Sequence, residues 1–225
     1  MSEALHFAEH RLQETALLIM AGVYAVRLIW LMRFKAGKER QAPTGLPGTT
    51  KGKGIIYSWA NIFMPWSMES ARKHVLMWFQ FGIFHMGVTA AIALSVIIPY
   101  APEVLEITLI TTIFQVVIVA AFIVGIMRII RRISIPVLRA ISSPDDYFSL
   151  ILLTVWFFFA AFSVPNRWQE GETFLLTYFW LTAFFLIYVP FSKISHYLYY
   201  PFTRYYLGKT MGYRGVFPLR GTRRG

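Results

Sequence analysis

The sequence predicts an all-α integral membrane protein, a bundle of five transmembrane helices with its N-terminus outside and its C-terminus cytoplasmic. Three observations predict it. Only 15% of the 225 residues are charged, while 56% are hydrophobic and 17% aromatic; soluble domains carry about 25% charged residues. Five apolar runs come close to or exceed the roughly 20 residues that a spanning helix needs. The basic residues fall on one side of the topology those runs define.

The runs are Thr15–Met32, Val75–Ile98, Val104–Met127, Tyr147–Val164 and Thr173–Phe191. None alternates with the two-residue period of a barrel strand, so helices remain as the way to satisfy the backbone in hydrocarbon. Of the 22 Lys and Arg, eight lie in residues 33–73, four in 128–139 and seven from Lys193 onward. Arg11 and Arg167 stand on the opposite side. This bias sets the predicted orientation, and it assigns the +11 net charge to topology and anionic lipid rather than to nucleic acid.

The domain reading follows: an outer segment 1–14, a five-helix domain 15–207 and a basic cytoplasmic tail 208–225. The inner loop of that domain spans 34–74. Glu3, Glu9 and Glu14 stand where a secretory signal would be basic, so no leader is expected. Phe34–Gly54 reads as a solvated loop rich in Gly, Pro, Thr and Lys. Ile55–Met68, with Tyr57, Trp59, Phe63 and Trp66, suits a segment lying at headgroup level. The outer loops, Pro99–Glu103 and Pro165–Glu172, are short. Ser142-Ser143-Pro144-Asp145-Asp146 is favourable chemistry for a helix start, with proline early and acids in the first turn. The Gly/Arg-rich tail reads as disordered or lying on a partner. No inner stretch resembles a catalytic domain, so a site for a soluble substrate would have to be very small or come from another chain.

The sequence contains no cysteine, which excludes disulfides, thiolate-held iron–sulfur clusters and thiol catalysis within this chain. Among five histidines, His85 lies about ten residues into the second run, roughly 15 Å deep at 1.5 Å per residue. His196 follows the last run, on the same inner half. Two imidazoles on different helices at similar depth suit the axial positions of a haem iron; equally, each suits a polar packing role between helices. Without cysteine such a haem is b-type. Gly82 and Gly87 flank His85 and leave room for a flat ring. His74 stands at the inner end of the same run and reads as interfacial, and His6 and His10 read as a solvated helix face. Arg27 and one of Arg128 and Arg131 are candidate partners for haem propionates, or snorkelling and topology charges. Gln80, Gln115 and Tyr178 are candidates for the vicinity of a quinone, on no stronger ground than helix packing.

The ending Val189-Pro190-Phe191-Ser192-Lys193-Ile194-Ser195-His196, followed by Pro201 and Thr203-Arg204-Tyr205, resembles that of a known family. The family is the gamma subunit of respiratory nitrate reductase, with the related cytochrome b subunits of heterodisulfide-reductase-like and sulfite-reductase-linked complexes. Phe84-His85-Met86-Gly87 resembles its ligand motif in the second span. Arg131-Arg132, Pro136, Arg139 and Asp145 resemble its inner turn, and Arg33-Phe34 its first-span ending. The resemblance implies that His85 and His196 hold the inner haem. The outer-haem positions fall on Ser95 and Tyr178, neither of which replaces imidazole, so one haem b is implied. It further implies electron transfer between menaquinone or ubiquinone and the iron–sulfur centres of a cytoplasmic subunit docked by the basic loops and tail. The expected location is the inner (cytoplasmic) membrane, in a respiratory chain oxidoreductase. A cofactor-free membrane anchor or assembly subunit is the alternative, and a small transporter is a further one.

Overall fold

The computed structural model describes residues 1–35, 37, 39–67 and 69–218. Of the described residues 83% are helical, and none lies in a strand. Its longer helices are α1 (Glu3–Arg33), α2 (Lys51–Ala60), α3 (Val75–Tyr100), α4 (Thr108–Ser134), α5 (Pro144–Ser163), α6 (Thr173–Tyr188) and α7 (His196–Tyr213). Five are long and apolar enough to cross a membrane: α1, α3, α4, α5 and α6 with its 3₁₀ extension to Phe191. The outward faces of these helices are as apolar as their inward ones; Leu18, Leu109 and Val116 stand mostly exposed. Such surfaces suit hydrocarbon rather than water. The predicted all-α, five-span membrane class is the architecture observed.

The chain forms two compact units, Met1–Arg27 with Gln80–Ile194, and Leu28–Phe79 with Ser195–Gly225. In the first, α3 turns one stripe inward: Phe84, Gly87, Ala91, Leu94 and Ile98, all buried. Their spacing of three and four residues keeps them on one helix face. A Cβ on Gly87 would land on the Cβ of Ala121, so α3 and α4 meet backbone to backbone. Gly125 of α4 makes room for a side chain of α5 instead, because a Cβ there would lie 2.5 Å from Thr154 Oγ1. Aromatic rings fill the space between α5 and α6: Trp156 and Tyr178 lie nearly parallel, with centroids 6.2 Å apart. The buried indole N–H of Trp156 donates to Thr182 Oγ1 at 2.8 Å, so this core carries its polar groups in pairs.

The start of α5 is built as its sequence predicts. Ser143 and Asp146 form a capping box and Pro144 takes the first turn. Lys193 Nζ reaches Asp146 Oδ2 at 2.9 Å and Arg132 donates to Ser142 Oγ at 2.6 Å, tying the end of α4 and the end of the last span to this cap.

Three boundaries differ from expectation. The first helix begins at Glu3 rather than near Thr15, because Leu5 and Ala8 are wholly buried and Gln13 Nε2 donates to Phe179 O at 3.0 Å. A π-helical turn, Ala8–Leu12, interrupts it. The third span begins four residues later than predicted, since Pro102–Glu106 forms a 3₁₀ turn. It runs on through Arg128, Arg131 and Arg132 until Ile135, held extended before Pro136.

In the second unit α2 starts within the stretch expected to be loop. Thr50 caps it, its hydroxyl accepting from Lys53 N at 3.2 Å. Gly54 of α2 lies against Gly208 and Gly212 of α7, and a Cβ on Gly208 would lie 2.6 Å from Ile55 Cα. Arg204 Nε donates to Ser58 O at 2.8 Å, and its guanidinium also bonds Asn61 Oδ1. Arg214 pairs with Glu39 at 2.7 Å, and Gly45 N donates to Arg214 O at 2.8 Å. The expected tail from Gly208 is therefore helical to Tyr213 and packed on its own chain; residues 219–225 lie outside the described residues.

Candidate functional site

His85 sits on the flank of the inward stripe of α3, half-buried. Its Nδ1 donates to Phe81 O one turn earlier, at 2.8 Å. A carbonyl oxygen only accepts, so the neutral ring is the Nδ1–H tautomer and Nε2 carries the lone pair. A backbone carbonyl fixing one imidazole nitrogen in this way orients the ring and raises the basicity of the other, an arrangement that suits a metal ligand.

The surroundings are aromatic and cationic. The Phe81 ring lies 4.1 Å from the His85 ring and the Phe84 ring 6.3 Å, centroid to centroid. Arg128, from α4, places its guanidinium 4.9 Å from the centroid of Phe84. At Gly82, one turn before His85, a Cβ would meet nothing within 4 Å. Histidine and open glycine thus share one flank of α3, while Arg128 lies against Phe84 of the inward stripe, all within the first unit.

The remaining predicted residues fall in varied places. Arg27 lies with its guanidinium 5.7 Å from the centroid of Phe191. Arg131 is half-buried near the end of α4, where its carbonyl accepts from Ile135 N at 3.1 Å. His196 is the exposed first residue of α7 and belongs to the second unit. The last span does not continue into it, since Ser192 is extended and a 3₁₀ turn, Lys193–Ser195, intervenes. Gln80 is half-buried and Gln115 exposed, the latter donating to Ala161 O at 3.4 Å. His74 is exposed just before α3. The rings of His6 and His10 are tilted by 44° to each other, with centroids 4.7 Å apart.

Tyr178 is fully buried and donates to Ala91 O at 2.5 Å, and Ser95 Oγ donates to Ile92 O at 2.8 Å. The two positions that the resemblance equates with a second haem site thus bond into the protein's own backbone. Among the described residues no group of three or more His, Cys, Asp or Glu could hold a metal ion.

Two features escaped the sequence reading. The crossing of α2 and α7 was legible as Gly208-x-x-x-Gly212, a small-residue spacing that permits close backbone approach. The track Asp145 Oδ1–Tyr188 OH–Ser149 Oγ, with steps of 2.5 and 2.9 Å, joins residues 43 and 39 positions apart and left no local pattern. No protein-family model, curated protein or solved structure matches this chain.

Proposed function

We propose that this multi-pass membrane protein is a b-type cytochrome subunit of the inner membrane. It would pass electrons between membrane quinone and the iron–sulfur centres of a cytoplasmic partner. The observation that carries the reading is His85: an imidazole within a span, its Nδ1 committed to Phe81 O, its Nε2 carrying the lone pair, beside the open flank at Gly82. An ionisable side chain at membrane depth is costly and usually functional.

In this reading His85 holds the haem iron through Nε2, and His196 is the second ligand that the family resemblance assigns. Arg128, whose guanidinium lies over Phe84, and Arg27, over Phe191, would be the partners of the haem propionates. A bound haem b supplies a one-electron carrier whose two histidine ligands leave no open site for oxygen chemistry. The chain's own residues orient the ligand, exclude a second site at Ser95 and Tyr178, and place cationic side chains for the propionates. The N-terminus is assigned to the outside, because the arginines ending α4 and Lys193 then face the cytoplasm.

A second reading, the cofactor-free anchor, draws on the core of the bundle unit, where the polar atoms of Trp156, Thr182 and Tyr178 are bonded to one another and to backbone carbonyls. A redox-difference spectrum of purified protein, made with haem and partners available, separates the two. The cytochrome reading expects a b-type spectrum that His85→Ala and His196→Ala each remove, with helical circular dichroism unchanged. Full haem in both variants would overturn the ligand assignment, and no haem in the parent protein would favour the anchor.

A further inference from the structure

The two units differ in charge far more than in size. The second unit carries fourteen Lys and Arg against two acids, a balance of +12; the first carries eight against nine, a balance of −1. Both acids of the second unit are ion-paired inside it, Glu39 with Arg214 at 2.7 Å and Glu69 with Lys73 at 2.6 Å. The acids of the unit thus offset only two of its fourteen cations.

The same unit exposes an ordered apolar face. Along α2 and the 3₁₀ turn after it, Ile56, Trp59 and Phe63 recur at spacings of three and four residues, with exposures of 69%, 46% and 76%. Trp66, in the next 3₁₀ turn, is 65% exposed. Lys53 begins the stripe one turn before Ile56. Trp59 keeps its indole N–H on Pro201 O at 3.1 Å, which leaves the apolar part of the ring for an outside surface. Two of the three joins between the units, at residues 27–28 and 79–80, fall within the membrane-length helices α1 and α3.

We infer that the Lys53–Ile56–Trp59–Phe63 face is a docking surface for the anionic headgroup layer of the bilayer. Aromatic rings partition to that layer, and lysines beside them are drawn to its negative potential. The charge balance selects anionic over zwitterionic lipid, and continuity with two spanning helices keeps the face near a membrane. This surface is independent of any haem at His85.

The chain has no cysteine, so single nitroxide labels at Ile56→Cys and Phe63→Cys report cleanly. The full-length protein is placed in nanodiscs of phosphatidylcholine with or without phosphatidylglycerol, and collisions with oxygen and with a water-soluble nickel chelate are compared. Labels at Ile92→Cys, exposed on α3, and Gln41→Cys, exposed in the loop, give the lipid and water references. With phosphatidylglycerol, the oxygen-to-nickel ratio at 56 and 63 is expected to approach that of 92. It is expected to shift toward that of 41 in phosphatidylcholine alone, and in about 1 M salt, where the Debye length falls to about 3 Å. A ratio equal to that of 41 in the anionic discs would overturn the proposal. So would loss of access to both reagents, which marks a protein partner, or a ratio indifferent to phosphatidylglycerol.

Discussion

Two faces of α3, about 140° apart around the helix as judged at Gly82 and Gly87, are built by opposite rules. The inward stripe from Phe84 to Ile98 is dry and close-packed: Gly87 is there because α4 leaves no room for a side chain, and Ala91 O is taken by the Tyr178 hydroxyl. The flank at Phe81, Gly82 and His85 is half-buried, carries the ionisable ring and meets open space at its glycine. Both faces contain a glycine next to the same histidine, yet only the second offers a ligand a surface. One helix can therefore serve as a structural wall and a candidate cofactor wall at once.

The comparison breaks most readily at the glycines. Gly87→Leu forces α3 and α4 apart and is expected to cost about 3 kcal/mol, or roughly 6–12 °C in melting temperature followed by circular dichroism in detergent. Gly82→Leu is expected to stay within about 0.5 kcal/mol of the parent or exceed it, since leucine is the better helix former. It should nonetheless lower haem content by crowding the flank. Equal destabilisation by the two substitutions would mean that the faces do not differ as described.

Smaller effects sharpen the picture. Tyr178→Phe removes one buried hydrogen bond to Ala91 O and should cost about 1 kcal/mol, with no gain of a second haem. The smallest effect lies in the second unit, at Glu39. Its carboxyl titrates below the ordinary carboxylate range, chiefly because Gln41 N donates to it, with Arg214 adding to the effect. A depressed folded-state value stabilises at pH above the unfolded value, near 4.3 for glutamate, and that contribution is lost as pH falls through the folded value. Protection of residues around Arg214 from hydrogen exchange should therefore weaken below about pH 4, and Glu39→Gln should abolish that dependence. Unchanged pH dependence in the variant would assign it to another group.

How much of this was legible in the sequence varies with the range of the interaction. The five spans follow from apolar run length and the α5 cap from Ser143-Pro144-Asp145-Asp146, because both are local. The end of α4 was misread by seven residues, since an arginine run looks like a membrane boundary while only Pro136 stops the helix. The depth of His85 was readable, but its tautomer and the approach of Arg128 depend on ring orientation and on a neighbouring helix. The sealing of the Tyr178 side needed Ala91, 87 residues away. For the last span, the run ending at Phe191 was read as it stands, but the 3₁₀ turn Lys193–Ser195 and the new helix that His196 begins were not, because proline and serine near a helix end set the path of the chain only in their tertiary setting.

The central claim, one haem on the open flank of α3 and none on its packed face, is tested most directly by counting haem per chain. A pyridine haemochrome assay on the purified protein, made with haem and its partners present, should return one b-type haem per polypeptide. Two per polypeptide would contradict the closure at Tyr178 and Ser95, and none would contradict His85 as a ligand.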